Sequence, residues 1–203
     1  MYKRQEERWG GALLCHIANS AASLLWPERA LSLARVGIAS YGLWPSVEVK
    51  SQVMSQLTPA LRPALSWRAR IVQVKEVAAG EPIGYGCSYV TQRASRIAVI
   101  PVGYFEGYDR QLSNRGVTLI RGQRAPVRGR ICMNICMVDV TEIEGVRRGD
   151  IVTLLGSDGG RTISADDLAG WSDTINYEVV SRIAGHIPRY AISGESARTA
   201  ELG

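Results

Sequence analysis

From about residue 62 onward, short β-rich runs alternate with clusters of turn residues, and this alternation restricts the fold more than any other feature of the chain. The runs are "LSWRARIVQVKEV", "RIAVIPVGY", "GVTLIRG", "QRAPVRGRICMNICMVDV" and "DIVTLLGSDGG". Turn clusters such as "EGYDRQLSNRG" and "EGVRRGD" separate them at intervals of roughly ten residues, a spacing typical of sandwiches and barrels. We therefore expect a mostly antiparallel β-barrel or sandwich.

A short helical insert is expected after the last long β-rich run. Ser164 and Asp167 have the spacing of a capping box, with Asp in place of the usual Glu. Ser172 or Asp173 is expected to cap a second helix, which Pro188 closes. Three apolar residues spaced by four are expected to share one face of that helix, namely Ile175, Val179 and Ile183.

Residues 11–44 have a different character, with the order strand, connection, strand. "GALLCHIANS" is an apolar strand that ends in Asn-Ser, "SAASLLWPERALSLA" is a short helical or irregular connection, and "RVGIASYGLWP" is a second strand and turn. Polar residues at the ends of strands joined in this way build the phosphate and cofactor sites of α/β barrels. The fold class expected for the whole chain is therefore α/β followed by β.

Composition narrows the classes of function. The 203 residues are 46% hydrophobic and 21% charged, and no apolar run is long enough to span a membrane. The net charge of +5 comes from scattered arginines, so we expect no nucleic-acid partner. The four cysteines form no C-x-x-C pair, and we expect reduced thiols, no metal site and a cytoplasmic location.

The first five residues, "MYKRQ", match nothing that follows and resemble a translated sequencing-adaptor end. We expect residues 1–5 to be such an artefact and the natural chain to continue upstream. Residues 6–61 are then the α/β part of the chain and residues 62–203 the β-domain, and the resemblance given below implies that residues 6–61 are the remnant of an α/β barrel.

Seven motifs together resemble the alanine racemase family, because they occur in that family's order. They are "HIANSAA", "RVGIASYG", "GYGCSYVT", "IPVGYFEGY", "LSNRG", "GRICMNICMVDV" and "TINYEVVSRI". The resemblance covers residues 11–191 and implies the last strands of a (β/α)8 barrel that binds pyridoxal 5′-phosphate (PLP), followed by the complete C-terminal β-domain.

The same resemblance implies racemisation of L- and D-alanine, which supplies D-alanine for cell-wall peptidoglycan. It also implies a homodimer in which both subunits build each active site. The lysine that forms the Schiff base with PLP is expected to be missing, since Lys3, Lys50 and Lys75 match no family motif and are expected to be solvated surface lysines. The chain alone is therefore expected to be inactive.

Tyr85 matches the tyrosine that exchanges the Cα proton on the face of the substrate opposite the lysine. Racemisation needs one acid/base group on each face. The flanking residues Gly84 and Gly86 are expected to allow the cofactor and the partner chain to approach closely.

The resemblance gives the other candidate residues three roles. Those expected to hold the cofactor are Asn19, Ser20, Arg35, Gly37, Ile38 and Tyr177. Those expected to meet the substrate carboxylate are Tyr104 and Met133, and those expected to line the corridor leading inward are Arg110, Arg130 and Ile175. Arg35 would face the pyridine nitrogen, where a guanidinium donates and never accepts.

One departure leaves alternatives open. The family usually has Cys-Met-Asp where this chain has Cys132, Met133 and Asn134, so a negative charge beside the substrate site is expected to be lost. A racemase acting on serine or on several amino acids remains an alternative. So does a non-catalytic β-barrel binding module. A decarboxylase of similar architecture is disfavoured, since such enzymes usually place a carboxylate where Arg35 stands.

Overall fold

A computed structural model describes residues 8, 10, 13–55 and 60–192. The chain forms two compact units, one ending at Ser66 and the other beginning at Trp67. The expectations about residues 1–5, Lys3 and the C-terminal residues beyond 192 lie outside the described residues.

The first unit contains a parallel pair of strands joined by a short helix. Its elements are β1 (His16–Asn19), α1 (Ser20–Leu25), β2 (Leu33–Arg35) and α2 (Val47–Val53). Asn19 caps α1, since its side chain accepts a hydrogen bond from Ala22 N–H, and the helix ends before Pro27, which cannot continue it. The pairing of β1 with β2 is parallel, as expected for a strand, a crossover and a strand.

Within residues 67–192, the second unit has ten strands and two α-helices. They are β3 (Trp67–Arg70), β4 (Gln73–Val77), β5 (Pro82–Ile83), β6 (Tyr89–Val90), β7 (Ser95–Ile100), β8 (Val117–Ile120), β9 (Gln123–Pro126), β10 (Cys136–Asp139), β11 (Ile151–Asp158), β12 (Arg161–Ile163), α3 (Ala165–Trp171) and α4 (Asn176–Arg182). Every strand pairing described in this unit is antiparallel.

Two main sheets form the second unit. One has the order β10-β7-β4, and the other has the order β12-β11-β8-β9 with β3 also paired to β11. The short strands β5 and β6 pair with each other. The inward-facing side chains of the two main sheets form the core, which includes the fully buried Ile100, Leu119, Val138 and Leu154. Burial of one such side chain stabilises the fold by about 1.5–3 kcal/mol.

The run "LSWRARIVQVKEV" is two strands rather than one. Ile71 N–H donates to Asp150 O, beside the five-stranded sheet, whereas Val72 N–H donates to Val99 O in the three-stranded sheet. The backbone thus changes sheets between these two residues, and the side-chain alternation does not reveal such a change.

The helical insert confirms one sequence prediction and corrects another. Ser164 and Asp167 form the capping box of α3, with each side chain bonded to the other residue's backbone N–H. Ser172 closes α3 instead of starting α4, and Asp173 has φ = 56°, which suits a turn. Ile175 occupies the N-cap position of α4 and provides no side-chain hydrogen bond.

Two further findings concern the described residues as a whole. None of their helices combines the length and the apolar character needed to cross a membrane. All four cysteines are free thiols, and within residues 13–55 and 60–192 no group of three or more His, Cys, Asp or Glu side chains is placed to hold a metal ion.

Candidate functional site

Tyr85 stands on a tight turn between β5 and β6. The turn covers Tyr85–Cys87 and exposes 74% of the tyrosine. Gly84 and Gly86 both have positive φ, at 73° and 68°, a conformation that glycine adopts without steric cost. The two glycines are therefore needed first by the backbone of the turn.

The same glycines also admit residues of the second unit. A Cβ atom on Gly84 would lie 2.9 Å from the terminal methyl of Met137 and 3.2 Å from Arg130 N. A Cβ atom on Gly86 would lie 2.9 Å from a guanidinium nitrogen of Arg130. Arg130 and Met137 of this chain thus approach the two glycines closely, and the expected approach of a cofactor or a partner remains a prediction.

Tyr104 and Met133 are placed side by side by backbone hydrogen bonds. Tyr104 N–H donates to Cys132 O at 3.1 Å, and Phe105 N–H donates to Met133 O at 2.9 Å. Gly103 permits this contact, because a Cβ atom there would lie 2.1 Å from Cys132 O. Both side chains remain accessible, with 43% of Tyr104 and 55% of Met133 exposed.

An open cavity of about 550 Å³ joins the tyrosine turn to this paired segment. Five of the residues predicted from the sequence line it, namely Tyr85, Tyr104, Arg110, Arg130 and Met133. Asn134 also lines it. The structure therefore brings together residues that lie as far apart in sequence as positions 85 and 134.

The cavity carries positive charge. Among the residues that the structure describes, neither Arg110 nor Arg130 forms an ion pair, whereas Arg182 pairs with Asp109 at 2.6 Å. The nearby carboxylate of Glu106 accepts hydrogen bonds from Gly103 N–H at 2.7 Å and from the Asn134 side chain at 2.8 Å. Two unpaired guanidinium groups suit an anionic ligand.

A carboxylate lies beside position 134, because the Asn134 side chain donates to Glu106. The effect of having Asn instead of Asp at position 134 remains a prediction. Sequence reasoning assigned no role to Glu106, and nothing in the sequence signals a contact between residues 28 positions apart.

Ile175 and Tyr177, at the start of α4, do not line the cavity. Ile175 is 62% exposed and Tyr177 is also exposed, so both side chains can meet another molecule. Their predicted roles in the corridor and at the cofactor remain predictions. Tyr108 is almost fully buried and contacts Trp67 edge to face.

In the first unit, the predicted cofactor residues gather at the carboxyl ends of β1 and β2. Asn19 is the register partner of Arg35. Ser20 Oγ accepts hydrogen bonds from Gly37 N–H at 3.0 Å and from Ala39 N–H at 3.4 Å. Ile38 is buried and begins the turn that follows Gly37.

His16 is a site residue that sequence reasoning did not assign. Its Nδ1 lies 2.5 Å from an Arg35 guanidinium nitrogen, which must be the donor. The predicted pairing of the two strands could have indicated this contact, because His16 begins the strand that lies beside Arg35.

The family model described as "Alanine racemase, C-terminal domain" matches residues 64–191. The chain belongs to the alanine racemase family. The alanine racemase of Leptospira interrogans is 44% identical to it over 182 residues, which are 89% of this chain and 47% of that protein. The alanine racemase of Halothermothrix orenii is 49% identical over 174 residues, 86% of this chain and 44% of that protein.

Solved alanine racemases have the same fold. The structure from Streptomyces lavendulae has a TM-score of 0.82 at 39% identity, covering 95% of this chain and 49% of that chain. The structure from Bacillus anthracis, with bound L-Ala-P, has a TM-score of 0.79 at 35% identity, covering 90% and 47%. The chain thus spans about half the length of the alanine racemases it matches, and the predicted fold class is confirmed.

Proposed function

We propose that this chain contributes to a PLP-dependent enzyme that interconverts L- and D-alanine. The observation that carries the proposal is the cavity in which Tyr85, Tyr104 and Met133 meet two unpaired arginines. Membership of the alanine racemase family is the basis for proposing this reaction, and the cavity contains side chains of the types that the reaction needs.

Tyr85 is the proposed acid/base group on one face of the substrate. Its phenol can exchange a proton with the substrate Cα, while a second group must act on the opposite face. We assign neither Lys50 nor Lys75 to that second role, because both are exposed and neither lines the cavity. The family resemblance predicts a lysine that residues 13–55 and 60–192 do not supply.

Tyr104 and Met133 are proposed to hold the substrate carboxylate. The tyrosine hydroxyl can donate to a carboxylate oxygen, and within the described residues Met133 N–H donates to no other group. Arg110 and Arg130 would attract the carboxylate end of the zwitterionic substrate into the cavity without contacting its Cα.

The first unit fits the phosphate of PLP. Gly37 N–H donates to Ser20 Oγ at the ends of two parallel strands, so the Ser20 hydroxyl can in turn donate to a phosphate oxygen, and the space where a Cβ of Gly37 would lie is open to 4 Å. Asn19 and Ile38 flank this place. Tyr177 is proposed as a cofactor contact on the family resemblance alone. PLP, when bound, withdraws electron density from the substrate Cα and so makes its proton removable.

Arg35 would face the ring nitrogen of the cofactor. Its guanidinium only donates, and its bond to His16 fixes its orientation. A ring nitrogen beside it would remain an acceptor, which limits electron withdrawal and favours proton exchange over other reactions.

We further propose a cytoplasmic homodimer that supplies D-alanine for peptidoglycan. The exposure of Tyr85, Tyr104 and Met133 supports an active site shared with a partner subunit, since these side chains are available to a second chain. The free thiols of all four cysteines suit a reducing compartment.

The test uses a chimera in which residues 13–192 replace the matching segment of the Leptospira interrogans alanine racemase. We expect it to racemise alanine, and we expect Tyr85→Phe to lower kcat by about 100-fold or more. In D2O, this variant should still exchange the Cα proton of one enantiomer without inverting it, because the opposite base remains.

Tyr89→Phe is the matched control. The Tyr89 ring packs beneath the Arg128 guanidinium at 4.8 Å and does not line the cavity, so racemisation should remain close to that of the parent chimera. Equal losses in the two variants, or a Tyr85→Phe chimera with unchanged kcat, would rule out the proposed role of Tyr85.

A further inference from the structure

The carboxylate of Glu106 joins two segments that line the cavity. One of its oxygens accepts from Gly103 N–H at 2.7 Å, within its own turn, and the other accepts from Asn134 Nδ2 at 2.8 Å. We call this pair of contacts the Glu106 bridge. Hydrogen bonds to a charged acceptor are roughly twice as strong as those between neutral groups.

The Glu106 bridge lies beside the two groups proposed to hold the substrate carboxylate. Gly103 directly precedes Tyr104, and Asn134 directly follows Met133. The backbone bonds of Tyr104 and Phe105 to residues 132 and 133 fix the main chain here. The Glu106 bridge adds a hydrogen bond between two side chains to this backbone contact. The bond lies toward solvent, since Asn134 is exposed.

The residue types at the two ends are chemically matched. Glu106 can only accept when ionised, and it already accepts from a backbone N–H, so its second oxygen requires a donor. The amide of Asn134 supplies that donor. A carboxylate at position 134 would place two acceptors in hydrogen-bond contact, and at neutral pH they would repel each other.

We propose that Glu106 and Asn134 are positioning residues for recognition of the substrate carboxylate. The Glu106 bridge holds the turn that carries Tyr104 against Met133, and it acts on substrate binding rather than on proton transfer at Tyr85. This inference rests on the proposed function for the identity of the ligand, while the positioning of Tyr104 can be tested without it.

The first arm of the test uses the full chain labelled with 3-fluorotyrosine. The Tyr104 signal is assigned by its absence in Tyr104→Phe, and the Tyr89 signal serves as a reference in the same unit. In Asn134→Asp we expect the Tyr104 signal to shift or broaden while the Tyr89 signal stays in place. Gln123→Glu adds the same charge at an exposed strand position and should change neither signal.

A double variant that exchanges the acid and the amide between positions 106 and 134 tests whether the effect arises from the Glu106 bridge itself. In the double variant Asn134→Asp/Glu106→Gln, the glutamine oxygen can accept from Gly103 N–H while its nitrogen donates to Asp, so the bridge is restored with reversed polarity. We expect the Tyr104 signal to return toward its original position. A Tyr104 signal unchanged in Asn134→Asp, or one not restored in the double variant, overturns the positioning role.

The second arm measures kinetics in the chimera described above. Asn134→Asp should raise KM for alanine by about tenfold with kcat nearly unchanged, as expected when one hydrogen-bonded restraint on binding is lost. The double variant should recover most of that KM. A loss of kcat at constant KM, or equal effects in Gln123→Glu, overturns the role in carboxylate binding. A folded parent chimera without racemase activity would refute the proposed function instead, and the fluorotyrosine arm would still decide the positioning role.

Discussion

Two turns carry tyrosines into the same cavity, and they are held in different ways. The turn at residues 84–87 owes its shape to local conformation, with positive φ at Gly84, Gly86 and Cys87. The turn at residues 103–107 is held by contacts with distant segments, including the bond from Ala184 N–H to Glu106 O at 3.1 Å. Substitutions should therefore act chiefly by backbone strain in the first turn and by steric exclusion at Gly103 in the second, where Gly107 also has a positive φ of 100°.

The largest effect is expected at Gly103 in the second turn. In Gly103→Ala, the new methyl group would lie 2.1 Å from Cys132 O and 2.4 Å from Met133 O, both of them backbone atoms. The two segments must then separate, and we expect the free energy of unfolding to fall by about 3 kcal/mol or more. Urea unfolding followed by circular dichroism measures this loss.

Gly170→Ala is the control for this substitution. Gly170 lies in α3 with open space around its Cβ position, so alanine should be neutral or stabilising there by up to about 1 kcal/mol. If Gly103→Ala is as stable as Gly170→Ala, the second turn is not held by steric contact with residues 132 and 133.

In the first turn, smaller losses are expected and they should follow a fixed order. Gly84→Ala meets backbone at Arg130 N, whereas Gly86→Ala meets only the movable end of the Arg130 side chain. Gly80 has φ = 85° with open space around it, so Gly80→Ala isolates the cost of the backbone conformation, about 1–2 kcal/mol. In urea unfolding, Gly84→Ala should lower the free energy of unfolding more than the other two substitutions do. Gly86→Ala and Gly80→Ala should lower it by the same amount. If Gly86→Ala lowered the free energy of unfolding as much as Gly103→Ala does, the two turns would not differ in the way they are held.

Alkaline pH probes the core behind the second turn. Burial, followed by the nearby Cys132 and Glu106, raises the pKa of the Cys136 thiol from 9.0 to about 12. The folded state keeps the thiol proton to a higher pH than the unfolded chain does. The contribution of the thiol to the free energy of unfolding is therefore complete below pH 9 and is lost progressively as the pH rises toward 12. At pH 10 the loss relative to pH 7 is about 1 kcal/mol.

Cys136→Ala removes this pH-dependent part of the stability. The variant should be less stable at pH 7, because a buried side chain is shortened, yet it should lose less stability than the parent chain between pH 7 and pH 10. Cys87→Ala serves as the control, since Cys87 is exposed. If the free energy of unfolding fell equally with pH in the parent chain and in Cys136→Ala, the Cys136 thiol would not be the source of the pH dependence.

The two turns also show how far the sequence could predict this structure. Local signals succeeded, as in the capping box of Ser164 and Asp167. Family motifs named Tyr85 and Tyr104, and the structure places both at one cavity. The bond between Glu106 and Asn134 could not be predicted, because it depends on how the two segments pack after folding and not on any spacing along the chain.

The smallest effect is expected at Tyr108, which follows the second turn. Its hydroxyl is buried and, among the described residues, has no hydrogen-bond partner, and burial raises its pKa well above 10.0. An unpaired buried hydroxyl costs free energy, so Tyr108→Phe should be neutral or stabilising by about 1 kcal/mol, with the ring contact to Trp67 retained. Tyr104→Phe, exposed on the same segment, should leave stability unchanged and affect only ligand binding. A destabilised Tyr108→Phe variant would show that its hydroxyl is satisfied, for example by water in the void of about 20 Å³ beside it, and that the second turn depends on this polar contact as well as on its backbone.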